Sequence, residues 1–529
     1  MGLHEVLRKV LAQGETYSFK RKVFRKLGAT HFILTCNSVD SVGSGGHVAV
    51  GDINERLVKN FNILPLREPN EMEWRGIFYP VVLTWLDDFP AYKLGMKAVL
   101  STAIVGATCK IYNILKEKIK PVPGQTHCIF DAHALSQVFQ GIFLLAPTSK
   151  FRQMRHNMKG GGNMKGGSQN DRRRGQSVTK QKSICNDREV FKNIAHLWSH
   201  EVQRVFADRI VSQDGRSEVY RELMDAIKEF FCVPILTDAN DVRGAARKME
   251  ELYSTNLCLN MKKTIRTLLQ EDLDDIDQGM PLLDPHELMA ELPYIASDLI
   301  FTKHLADTSD LYCEESVPVI LGKLADHMKS GGVDLVCYSR AAKHCARLSR
   351  SLMLGGLSLM LGPNGSGRKV LALTTARAHN YTIRCIPSPR TGINFNQELR
   401  DALVEAGSGS TPVLLFIENG WELSVLSDIM YFISEGSHPD LIQPSHLSST
   451  SYGNVNMDMF YKRAEAQIHI VFSLDTEKGE VPDTVSQLFS TYPCLLKKCT
   501  SLDYYSLWNS ETLSEIAFTF LGESVNKVQ

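Results

Sequence analysis

Among its twelve cysteines the sequence has no Cys-x-x-Cys pair and no short, cysteine-dense block. A disulfide-stapled secreted scaffold is thereby excluded, and the thiols read as free cysteines of a reducing compartment. No apolar run reaches the roughly 18 residues that a membrane-spanning helix needs. The first residues, Met1-Gly2-Leu3-His4-Glu5, lack the charged-then-apolar layout of a signal peptide. An excess of one charge is missing too: Lys+Arg and Asp+Glu both number 59, so no overall field draws the chain to nucleic acid or membrane. The expectation is a soluble intracellular protein with neither of those partners. What is present is ordinary globular composition, 43% apolar and 22% charged over 529 residues, enough for about three to four domain-sized units.

Along the chain, residues 29–37 and Asn62–Leu66 are short apolar runs that read as strands, the first of them buried, with Ile53–Phe61 helical between them. Residues 71–145 read mainly as helices, broken near Pro121, Pro123 and Gly124. From Lys150 to Lys182 there are ten Lys/Arg, one acid (Asp171) and six glycines. So little apolar surface cannot offset chain entropy, and the segment reads as a disordered insertion. It is either a basic arm for an acidic partner such as tubulin or RNA, or a tolerated surface-loop insertion, and the second reading is favoured. Residues 187–232 return to helical spacing, residues 233–333 are weakly patterned, and Asp334–Leu352 reads as an amphipathic helix. Strand and helix then alternate to about residue 520, which predicts a parallel α/β sheet.

The sharpest local feature is Gly362-Pro363-Asn364-Gly365-Ser366-Gly367-Arg368-Lys369-Val370. It lies between an apolar strand, Leu357–Leu361, and a helix expected over Lys369–Ala378. A glycine-rich turn in that setting aims backbone N–H groups and a helix N-terminus at phosphate. Against the pattern G-x-x-x-x-G-K-[ST] the spacing Gly362 to Gly367 fits, and the last two positions do not. Arg368 stands for the phosphate-binding lysine and keeps its charge with a different shape. Lys369 stands where a hydroxyl should ligate Mg²⁺, and an ammonium repels a cation.

About fifty residues on, the apolar strand Val413–Ile417 ends in Glu418-Asn419. In P-loop ATPases an acid at this place holds the Mg²⁺ shell, and a second acid activates water. Glu418 could serve the first role, whereas Asn419 cannot accept the proton. A third strand, Ile468–Phe472, reads as ending at Ser473, in the place of a polar γ-phosphate sensor. The residues predict binding of ATP or ADP, disfavour Mg²⁺, and argue against fast hydrolysis.

With these motifs in hand, Val333–Tyr338, His344, Arg347, Arg350 and Gly362–Arg368 resemble the approach to the fourth AAA+ module of dynein heavy chains. Phe395, Glu398-Leu399, Ala406-Gly407, Ile433–Gly436, Pro439–Leu441, Pro493, Cys499 and Asp503–Trp508 follow the same pattern. That module often carries Arg in the lysine place, so Arg368 fits the family. The front half resembles the third module, met after its own phosphate loop. Asp52–Phe61 is similar to its arginine-bearing segment, which makes Arg56 a possible finger toward the preceding module's nucleotide. His127–Gly141 and Leu197–Arg209 follow further signatures, although His133 replaces a sensor arginine. His200-Glu201 does not begin a zinc H-E-x-x-H helix, because Arg204 occupies the second His place.

The resemblance implies an AAA+ P-loop parallel sheet flanked by helices, preceded by a partial sheet remnant and a mainly helical lid and linker region. The expected boundaries are 1–70 for the end of the third module and 71–149 for a helical lid. Residues 150–183 are the insertion, 184–333 the continuing lid and linker, and 334–529 the fourth module. The implied partners are other heavy-chain modules and dynein subunits, with microtubules reached only through other parts of the motor. The implied location is cytoplasm, cytoskeleton and the axoneme of a cilium or flagellum. The alternative is a stand-alone P-loop ATP-binding protein or weak ATPase.

Overall fold

The computed structural model describes residues 3–18, 22–28, 30–35, 55–89, 94–120, 128, 130–145, 192–231, 299–303, 305, 312–331, 337–389, 392–409, 411–442, 456–476 and 483–528. Two short antiparallel pairs occur early, β1 (Glu15–Ser18) with β2 (Val23–Lys26), and β3 (Phe301–Thr302) with β4 (Cys313–Glu314). The main sheet holds β5 (Leu357–Gly362), β6 (Thr382–Ile386), β7 (Val413–Ile417), β8 (Ile468–Asp475) and β9 (Cys499–Tyr504). Its order is β6-β7-β8-β5-β9, and every neighbouring pair is parallel. The three strands expected near 357, 413 and 468 therefore lie side by side, with the glycine loop at their carboxyl ends.

Alternation along these strands builds two cores. Leu357, Leu359, Leu361, Leu415, Ile470 and Phe472 face one side, where the helices Phe395–Ser408, Ser427–Glu435 and Met457–Gln467 pack. Met360, Leu414, Phe416 and Val471 face the other, under the helices Val317–Ser330, Ser339–Leu354 and Arg368–Ala378. A strand buried on both faces needs a near-continuous apolar run, which β5 and β7 supply. The helix Phe395–Ser408 starts at Asn394, whose side chain accepts from the amides of Asn396 and Gln397. Gly407 lets it approach its neighbour, for a Cβ there would lie 2.3 Å from the Phe460 ring.

The front part is helical. The helices Glu71–Asp87, Leu94–Lys118 and Ala132–Ile142, a helix over 192–205, and Gln213–Ala226 share one apolar core around Trp198, Phe139 and Phe206. Asn70 and Glu73 form a capping box at the first of them. Among the described residues, eight cysteines are free, and no helix is long and apolar enough to cross a membrane.

Several expectations need correction. Residues 30–35 of the buried strand expected over 29–37 form no strand and pair in no sheet, with Ile33 91% exposed, while 29, 36 and 37 lie outside the described residues. The strand expected over Asn62–Leu66 is absent as well, and Leu66 is 95% exposed. A strand needs a neighbour for its backbone groups, and no described strand supplies one to either run. Of the helix expected over Ile53–Phe61, the described residues form helix over Glu55–Val58 and end in a turn, and 53–54 lie outside them. β8 continues past Ser473 to Asp475. The insertion 150–183 lies outside the described residues.

Candidate phosphate site

β5 delivers Gly362 to the sheet's carboxyl edge, where the Tyr505 amide donates to the Leu361 carbonyl at 2.7 Å. A Cβ on Gly362 would lie 2.6 Å from Tyr505 Cβ, so only glycine fits this crossing of β5 and β9. Gly365 and Gly367 take φ of +81° and +86°, a left-handed conformation that side chains disfavour, and the space beside both is open. The helix Arg368–Ala378 begins there, with the Leu371 amide bonded to the Gly367 carbonyl. Its first-turn N–H groups have no acceptor within the helix and point toward the loop. Val370 packs into the core beneath the loop, and Pro363 and Asn364 form its outer turn. Ser366 is buried, and its Oγ has no partner. An open glycine cradle, a helix N-terminus and an orphaned hydroxyl suit a phosphate group.

The charged residues around the cradle are paired with one another. Arg368 is 6% exposed and folds back on β8. It donates to the Leu474 carbonyl and to Asp475 Oδ1, each at 2.5 Å, and to the Pro363 carbonyl at 3.4 Å. Lys369 Nζ donates to Glu418 Oε1 at 2.7 Å, while Glu418 Oε2 accepts from the Ser388 amide at 3.1 Å. Burial alone would raise the Glu418 carboxyl, but the Lys369 ammonium and the Ser388 amide hold it below its ordinary value. The hydrogen bond to Glu418 in turn raises Lys369.

The structure thus gathers Gly362–Val370 and Glu418 at one edge. Ser473 stands beside Met360, inside the sheet and 8% exposed, rather than at the strand end. Asp475, opposite Gly362, occupies the strand end instead. The sequence reading missed it, although an acid closing an apolar strand was visible at Leu474-Asp475. Mg²⁺ does not fit this set. The position that should offer a hydroxyl offers an ammonium, and both oxygens of Glu418 are engaged.

Residues 333–529 match the family described as P-loop containing dynein motor region D4. Over 98% of its length the chain is 24% identical to mouse dynein axonemal heavy chain 1, and over 98% it is 22% identical to human dynein axonemal heavy chain 6. Over 88% it is 22% identical to the Chlamydomonas reinhardtii dynein-1-beta heavy chain of the flagellar inner arm I1 complex. Over nearly its whole length the chain is thus similar to dynein heavy chains, and its residues 333–529 match their D4 motor region. It spans 11% of the length of the mouse relative and 9% of the algal one.

Several other residues of the motifs singled out in the sequence meet where the helical part joins the sheet. Glu201, fully buried, accepts from Arg350 Nε at 2.6 Å and Tyr312 Oη at 2.7 Å. His200 Nδ1 lies 3.1 Å from the same carboxylate. Desolvation lowers His200 to about 4, so it is neutral and donates from Nδ1. Desolvation opposes ionisation of Glu201, yet Arg350 outweighs it and brings the carboxyl to about 2. A second group joins Asp503 to Arg347 Nη1 at 2.5 Å and to His344 Nδ1 at 2.6 Å, and Arg347 Nε lies 3.2 Å from Asp208. Gln137 donates to the Cys499 carbonyl at 2.8 Å and lies 3.2 Å from His133 Nε2. Arg56 is exposed on Glu55–Val58, which packs on the helix Leu3–Gln13.

Proposed function

We propose that this chain is a section of a dynein motor ring, comprising the back of the third AAA+ module and the large part of the fourth. In this reading its glycine loop holds ATP or ADP as a regulatory or structural ligand and does not hydrolyse it. One observation carries the reading: Arg368, the residue in the place of the catalytic lysine, is buried and fixed to Asp475 and the Leu474 carbonyl. Phosphoryl transfer needs a metal and a cation free to follow the migrating charge, together with a residue that positions water. Asn419 offers no base for that water.

The names of the relatives, axonemal and flagellar, support a place in the axoneme of a cilium or flagellum, in a complex with other dynein subunits. Microtubule-based motility would then belong to the assembled heavy chain, with Arg56 a finger toward a neighbouring module's nucleotide. The test is a titration of the full chain with a fluorescent ADP analogue. Saturable binding that weakens at least tenfold in Gly367→Val is expected, since valine disfavours a φ of +86° and its side chain enters the cradle. Equal binding by the two proteins, with unchanged circular dichroism, would remove the loop from consideration.

A further inference from the structure

We infer that Lys369 is the phosphate-binding cation of this loop and replaces the divalent metal, so that the ligand is a metal-free nucleoside diphosphate. The inference rests on the nucleotide reading above and goes further, because it names the charge state of the ligand and the residue that selects it.

The two basic residues after the cradle differ in freedom. Arg368 has a side chain 6% exposed, fixed to two groups at the end of β8 and to the Pro363 carbonyl. Turning it outward would strip a buried carbonyl and Asp475 of their donor at once. Lys369 has a side chain 48% exposed and pairs with Glu418 Oε1 at 2.7 Å. Such a surface pair costs little to exchange. When Lys369 turns away, Glu418 keeps its second contact, the Ser388 amide at 3.1 Å. The movable cation therefore sits on the first turn of the helix that faces the cradle, beside the acid of the metal shell.

Charge arithmetic sets the ligand. Arg368 and Lys369 balance Asp475 and Glu418, two cations against two carboxylates, so the charged side chains around the cradle cancel. A divalent cation at Glu418 would meet an ammonium within a few ångströms, in the place where a hydroxyl should coordinate it. A diphosphate arriving alone instead gains the ammonium, the first-turn amides and the unpartnered Ser366 hydroxyl. Nothing covalent happens: Lys369 exchanges one anionic partner for another.

The experiment is equilibrium binding of ADP to the full chain in EDTA and in excess Mg²⁺, for the natural sequence and for Lys369→Thr. The natural chain should bind ADP equally well or better in EDTA. Lys369→Thr, which restores the hydroxyl and frees Glu418, should lose at least tenfold in EDTA and recover most of that with Mg²⁺. The half-exposed position tolerates the exchange, and circular dichroism of both proteins checks that they fold alike. Tenfold tightening of the natural chain by Mg²⁺ would overturn the inference and leave the nucleotide reading standing. Binding by Lys369→Thr that remains metal-indifferent would remove Lys369 from the role. No ADP binding by either protein in either condition would defeat the nucleotide reading itself.

Discussion

Gly141 and Glu201 come from two separate signatures, and the structure shows what one requires of the other. A Cβ on Gly141 would lie 1.7 Å from Glu201 Oε2 and 2.8 Å from Arg350 Nη2, inside a buried ion pair. Gly141→Ala should therefore cost about 3 kcal/mol, the scale on which disturbing a buried pair is felt. A urea midpoint unchanged from the natural chain would refute that. The same cluster sets a pH dependence. His200 has a folded pKa of about 4, below its unfolded value, so the unfolded chain binds the extra proton between about pH 6.5 and 4 and stability falls through that window as pH drops. Glu201, at about 2, adds a loss from about pH 4.5 downward. Each group contributes up to about 1.4 kcal/mol per pH unit. Urea midpoints measured from pH 7 to pH 3 should fall steadily, and a flat profile would mean that these groups are not buried as described. The sequence showed that His200-Glu201 lacks its second histidine; it could not show that Arg350 answers Glu201 from the far side of the fold.

At the scale of elements, β5 and β7 were legible because strands covered on both faces are almost wholly apolar. The same signal misled at 29–37 and 62–66, since a run of apolar residues reports an affinity for burial and says nothing of a neighbour to bury it. The end of β8 was misplaced because Ser473 is polar; it nevertheless stays in the sheet, and Asp475 closes the strand. Packing of the helices Phe395–Ser408 and Met457–Gln467 depends on Gly407 in the same way that the ion pair depends on Gly141. Gly407→Ala would place a methyl 2.3 Å from Phe460 and should cost about 1–3 kcal/mol as overpacking. Thermal unfolding should register it as a lower midpoint, and an unshifted midpoint would show that Phe460 can turn aside freely.

For the molecule as a whole, the helical part and the sheet are joined by charged and polar contacts as well as by apolar ones. Arg347 bridges Asp208 and Asp503, Arg350 donates to the Thr500 carbonyl at 3.1 Å, and Gln137 reaches the Cys499 carbonyl. Desolvation would raise the Asp503 carboxyl, but His344 and Arg347 hold it well below the usual range. Removing Arg347 leaves Asp503 buried with one partner fewer, at a cost of about 3–5 kcal/mol. Arg347→Ala should split calorimetric unfolding into two transitions, one for each part, whereas one undiminished transition would show that apolar contact alone couples them. The measurement that bears most directly on the central claim is a single-turnover assay, with the full chain in excess over γ-labelled ATP and Mg²⁺ present. The nucleotide should be recovered as intact ATP after hours. Release of labelled phosphate that disappears in Glu418→Gln would contradict a cradle built to hold phosphate without cleaving it.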